Sequence, residues 1–89
     1  MDDRKARVEV EIFGEYYTLK GDAAPEYMVM LAKYVSSKMQ QLVSRNDRLN
    51  RSQAAVLAAL NIADELNKLR EEYDNLVRLL EPDKGKQNS

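Results

Sequence analysis

The sequence predicts an α+β chain: an N-terminal β-hairpin, one helix, and then a long C-terminal helix that forms an intermolecular coiled coil. Three observations carry that prediction. Apolar residues alternate with period two on both sides of Gly14, they recur every three or four positions from residue 25 to residue 44, and after Asn50 nothing breaks a helical pattern until Pro82, with a heptad seam from Ala59 to Leu80.

Residues 1–7 are polar and charged without a period, and are expected to form a disordered leader rather than a targeting signal. From Val8 the pattern changes. Val8, Val10 and Ile12 alternate with Glu9 and Glu11, which marks a half-buried strand, and Gly14 interrupts the run. Tyr17 and Leu19 against Thr18 and Lys20 then read as the partner strand of a hairpin, with a tight turn around Phe13-Gly14-Glu15.

Gly21-Asp22-Ala23-Ala24-Pro25 breaks the strand and opens a helix. Asp22 or a neighbour is the expected cap, and Pro25 falls in the first turn, where its missing N–H costs little. Met28, Leu31, Val35, Met39 and Leu42 place one apolar stripe along residues 25–44. The connection that follows, Arg45-Asn46-Asp47-Arg48-Leu49-Asn50-Arg51, gathers the basic residues of the head. Asn50 and Gln53 have the spacing of a capping box, so the second helix should start there.

Residues 51–81 can run unbroken for about 45 Å at 1.5 Å per residue. Ala54 to Ala63 is apolar nearly all round and rich in Ala, which implies burial against the hairpin, the first helix and a partner chain. Asn61, alone in that stretch, is expected to be buried and bonded to backbone or partner. Further on, Ala59, Ile62, Leu66, Leu69, Tyr73, Leu76 and Leu80 follow alternating steps of three and four. The seam widens at Val77 and Leu79, which suits a bundle of more than two helices, although three heptads do not fix the number. Residues 82–89, with no apolar side chain after Pro82, are expected to be a disordered tail. The resulting division is a leader at 1–7, a head at 8–49, a long helix at 50–81 and a tail at 82–89.

At 89 residues the chain is one domain or less, and a domain so small buries only roughly 60% of the surface its unfolded chain exposes. Small chains offset that deficit with disulfides, a metal or oligomerisation. The chain contains no Cys and no His, which leaves oligomerisation. The first helix is roughly ten residues shorter than the second, so within an antiparallel helical hairpin it cannot cover Tyr73, Leu76 and Leu80. Ile62, Leu66, Leu69, Tyr73, Leu76 and Leu80 are therefore the expected oligomerisation residues. A helix of another protein filling the same groove is the alternative.

Without His or Cys the chain has neither the usual general base nor a thiol nucleophile, and three Gly in all form no phosphate-cradling loop. Glu71 and Glu72 point about 100° apart on a helix, as a solvated face does. No catalytic residue, cofactor or metal site is expected. The net charge of −1 combines a near-neutral head, with nine basic and eight acidic groups in residues 1–63, with an acidic remainder of five and seven. That balance, with no basic stripe interleaved with exposed aromatics, disfavours a nucleic-acid partner. The longest apolar run, Ala54 to Leu60, falls far short of the roughly 18 residues of a membrane span, so none is expected. The absence of a signal-peptide pattern makes the cytoplasm the default location.

Arg45, Arg48 and Arg51 admit two readings. One is a solvated connection in which Asp47 and Asn50 supply turn and cap chemistry. The other is an electropositive patch for an acidic protein surface, since Arg forks pair bidentately with carboxylates, and Lys38 on the first helix would extend it. Phe13, Tyr16, Tyr17, Tyr27 and Tyr34 concentrate the aromatic content in the head, where core or dimer-interface packing is expected.

The strand Val8-Glu9-Val10-Glu11-Ile12-Phe13-Gly14, the helical element Ala58-Ala59-Leu60-Asn61-Ile62-Ala63-Asp64-Glu65-Leu66 and the total length together resemble the ZapA family of FtsZ-associated cell division proteins, in the short form found in Gram-positive bacteria. The similarity spans residues 8 to about 80. It implies a dimerised head, long helices that pair dimers into antiparallel tetramers, and promotion of FtsZ bundling and Z-ring assembly in the cytoplasm at the division site. It also implies an FtsZ-binding surface of charged residues around the hairpin turn and the end of the first helix. Carried over by position, that surface includes Arg45 and its neighbours Arg48, Arg51 and Lys38, with Glu15 at the turn. Glu15 and Val43 depart from the pattern, standing where some members of the family carry basic residues. A coiled-coil adaptor with a different protein partner is the alternative function.

Overall fold

A computed structural model describes residues 6–81, and the expectations for residues 1–5 and 82–89 lie outside them. The order is strand β1 (Ala6–Ile12), strand β2 (Glu15–Gly21), helix α1 (Pro25–Arg45) and helix α2 (Arg51–Leu80). β1 starts two residues ahead of Val8: Ala6 pairs with Gly21 and Arg7 with Lys20, so the ladder extends into the stretch expected as leader.

The hairpin closes on the pair Ile12–Glu15, leaving Phe13 and Gly14 as a two-residue turn. Both have positive φ, 52° and 87°, the sign pattern of a type I′ turn, whose twist matches that of the strands it joins. Val8, Val10 and Ile12 face the helices, opposite Leu19, Tyr17 and Glu15 of β2. Glu9 and Glu11 look outward with Thr18 and Tyr16.

α1 begins at Pro25, and its cap differs from expectation. Ala24, not Asp22, is the N-cap, and it makes no side-chain bond. Its carbonyl accepts from the N–H groups of Tyr27 and Met28 at 3.0 and 3.1 Å. Asp22 lies two residues before the capping position. The buried stripe also shifts by one position, because Ala32 is buried while Leu31 is exposed. Met28, Ala32, Val35, Met39 and Leu42 follow steps of four and three, and a small residue in that row allows close approach to the hairpin.

The connection satisfies its own backbone. Asn46 N–H donates to the carbonyls of Leu42 and Val43, and Asn46 Oδ1 accepts from Arg48 N–H at 3.1 Å. The expected capping box then starts α2: Gln53 N–H donates to Asn50 Oδ1 at 2.7 Å, and Asn50 N–H donates to Gln53 Oε1 at 3.1 Å.

The core lies where α2 crosses α1. Met39, Ala54 and Ala58 are buried, with Ile12, Phe13, Val35, Leu42 and Val43 packed around them. Within the single chain only one side of the Ala-rich stretch is covered, and Val56, Leu57 and Leu60 are exposed. Asn61, expected to be buried, is exposed as well. The chain is thin and extended, 56 × 45 × 15 Å, with a radius of gyration of 19.1 Å where a compact domain of this length has about 12 Å.

Candidate protein-interaction surfaces

Two surfaces arise from these elements, one at the turn-and-connection end of the head and one along the far half of α2.

At the head end, the five charged residues singled out from the sequence separate into three groups. Arg45 and Arg48 are exposed, and neither has an ion-pair partner among the described residues. Arg45 also sits in the last turn of α1, where a cation complements the helix dipole.

Arg51 turns onto the hairpin. Its Nη2 donates to the Phe13 carbonyl at 2.6 Å, its guanidinium lies 5.2 Å from the centroid of the Phe13 ring, and its Nε stands 3.8 Å from Glu15 Oε2. Glu15 also accepts from the Tyr17 hydroxyl at 3.2 Å. Arg51 and Glu15 are thus together at the turn. Their charges largely offset one another, which leaves Arg45 and Arg48, with the acidic Asp47 between them, as the exposed basic residues of the connection.

Lys38 goes elsewhere. It lies seven residues before Arg45, about 10 Å along the helix axis, and its ammonium donates to Glu65 Oε2 on α2. The Tyr34 hydroxyl donates to Glu65 Oε1, and Lys38 Nζ rests 5.3 Å from the centroid of the Tyr34 ring. Lys38 is only 17% exposed, so it does not extend the arginine patch. The Glu65 carboxyl is held below its ordinary range by the hydrogen bond from Lys38 and then by that from Tyr34, against a smaller opposing effect of burial. Lys38 is raised, chiefly by its bond to Glu65, and Tyr34 is raised for the same reason.

This cluster was not read from the sequence, where Glu65 figures as part of the helical element Ala58 to Leu66. The available signal was the pair Tyr34 and Lys38, four apart and so on one helical face, opposite an acid on the returning helix. Ser36 was missed in the same way; its Oγ accepts the Phe13 N–H at 3.0 Å.

Along α2, Leu66, Leu69, Tyr73, Leu76 and Leu80 are all exposed, and Leu80 is 74% so. Ile62, nearer the head, is half-buried. α2 has 30 residues and α1 has 21, a difference of nine, so the last turns of α2 pass beyond the end of α1. A row of large apolar side chains at heptad spacing over three turns and more is the geometry of a helix–helix interface. Among the described residues no group of three metal-ligating side chains converges, and no helix is long and apolar enough to cross a membrane.

The profile of the family described as cell division protein ZapA matches residues 8–86. The cell division protein ZapA of Geobacillus thermodenitrificans (strain NG80-2) is 43% identical over 84 residues, covering 94% of this chain and 92% of that protein. Its counterpart in Geobacillus sp. (strain WCH70) is 37% identical over 83 residues, covering 93% and 95%. Among solved structures, a ZapA mutant dimer from Geobacillus stearothermophilus superposes with a TM-score of 0.68 at 37% identity, over 90% of this chain and 94% of that one.

Proposed function

Because the chain belongs to the ZapA family of cell division proteins, we propose that it binds FtsZ and bundles its filaments as a multivalent oligomer at the division site. Proteins of this family are cytoplasmic, non-enzymatic cell-division factors, and this chain is one of them. The observation that carries the proposal is the seam from Leu66 to Leu80, whose large apolar side chains stand exposed in the single chain.

Exposed apolar area of that extent is costly in water at roughly 25 cal/mol per Å², and a second copy of α2 offers the same seam to cover it. The solved relative is a dimer. A head dimer here covers Val56, Leu57 and Leu60, which the single chain leaves open, and pairing of the α2 seams joins two dimers into a tetramer. The heads then lie far apart on one body. Each presents Arg45 and Arg48 to the carboxylates of a filament, an interaction that is weak singly and gains effective concentration when several heads engage.

The test is co-sedimentation with FtsZ polymers formed under nucleotide. The chain is expected to enter the pellet and increase bundling. Arg45→Glu with Arg48→Glu is expected to leave the oligomer intact and reduce pelleting several-fold, by a margin that shrinks as salt screens the native interaction. A native oligomer that stays in the supernatant would instead point to an adaptor with another protein partner.

A further inference from the structure

Phe13 holds a conformation that its own side chain does not favour. At the first central position of a turn with two positive φ angles, Asn, Asp or Gly is usual and a bulky aromatic is rare. Contacts from both helices keep it there. Its N–H donates to Ser36 Oγ on α1, and its carbonyl accepts from Arg51 Nη2 on α2. The Arg51 guanidinium also rests on the Phe13 ring and pairs with Glu15. Arg51 is itself the first residue of α2, directly after the capping residue Asn50 that closes the connection. One side chain therefore ties the hairpin turn to the segment that carries Arg45 and Arg48.

From this geometry we infer that Arg51 is a positioning residue for the head's partner-binding surface: it locks the Phe13–Glu15 turn against the Arg45–Asn50 connection, so that both meet an acidic filament as one rigid face. The inference rests on the FtsZ-binding reading above, and it removes Arg51 from the residues that touch the partner. The role needs a planar fork. An arginine can donate to a carbonyl, face a carboxylate and stack on a ring at once, whereas a lysine ammonium keeps the charge without the stacking plane. A surface whose two halves are already aligned loses less ordering entropy on binding than one whose turn moves independently.

Arg51→Lys and Arg51→Met separate positioning from contact. In the full-length oligomer, mass, amide hydrogen exchange across the turn, and FtsZ co-sedimentation over a salt series are measured for both. Both variants are expected to keep the native mass, to exchange faster at Gly14 and Glu15, and to bind FtsZ more weakly by roughly tenfold, the worth of one lost hydrogen bond. The salt dependence should stay that of the native chain. Native-like binding by Arg51→Lys together with a flatter salt dependence for Arg51→Met would overturn the inference, because Arg51 would then act as a contact charge. Native-like binding by both variants, with Arg45→Glu and Arg48→Glu still weakened, would overturn it while leaving the FtsZ reading in place. Native-like binding by the Arg45 and Arg48 variants would remove that reading and the inference with it.

Discussion

Asn50 caps α2 through a reciprocal exchange with Gln53. Its Oδ1 accepts the Gln53 N–H, and its own N–H is taken by Gln53 Oε1, so two donors that helix geometry orphans are both satisfied. Asn50→Ala is expected to cost about 1 kcal/mol. Urea unfolding at one fixed protomer concentration checks it, since oligomer stability varies with concentration. This cap was legible because the whole interaction lies within four consecutive residues. The cap of α1 was not: Asp22 has the right chemistry, but the chain starts the helix at Pro25 with Ala24 in the capping position. Arg51 and Lys38 were legible as charges and not as contacts, because their partners Phe13 and Glu65 are 38 and 27 residues away. Only the folded chain shows that both are engaged and that Arg45 and Arg48 remain outward.

The pairing of α1 with α2 depends on small residues and on one polar bridge. Ala54 and Ala58 are 0% and 1% exposed and let the helices approach, while Lys38 and Tyr34 reach across to Glu65 farther along. Glu65 has a lowered pKa in the folded chain, so its stabilisation is present above the ordinary glutamate range and is lost as pH falls through the folded value. Lys38 and Tyr34 are raised, so their share is present below their ordinary values and is lost as pH rises through the folded ones. Glu65→Gln is therefore expected to lower stability near neutral pH and to flatten the decline at both ends. The effect should be small, because Glu65 is 41% exposed and solvent screens it. Thermal unfolding of both chains at acid, neutral and alkaline pH measures it. The heptad seam of α2 was legible from spacing alone. The stripe of α1 was legible as a face but misplaced at Leu31, because apolar size marked the wrong neighbour: the close contact is made by Ala32.

For the whole molecule, α2 carries more apolar surface than the head of the same chain can cover. The buried set is Val10, Met28, Ala32, Met39, Ala54 and Ala58, three of them alanines, while Tyr73 and the leucines from Leu57 to Leu80 stand exposed. On the proposed reading, a core this small with no disulfide is completed by a second copy, and a seam that projects past the head joins copies at a distance. The hairpin, the two helices and the seam could all be anticipated because each rests on local periodicity. The split of the charged cluster into an exposed pair, a turn clamp and an interhelix bridge depends on which surfaces meet, and periodicity does not encode that.

Leu76→Glu tests most directly whether bundling comes from oligomers joined through the α2 seam. FtsZ bundling by the native chain and by this variant is measured by light scattering and pelleting, with the mass of each oligomer determined alongside. A charge in the apolar seam is expected to reduce the tetramer to a head dimer that still pellets with filaments but no longer bundles them. A variant of dimer mass that bundles FtsZ as well as the native chain would contradict the claim.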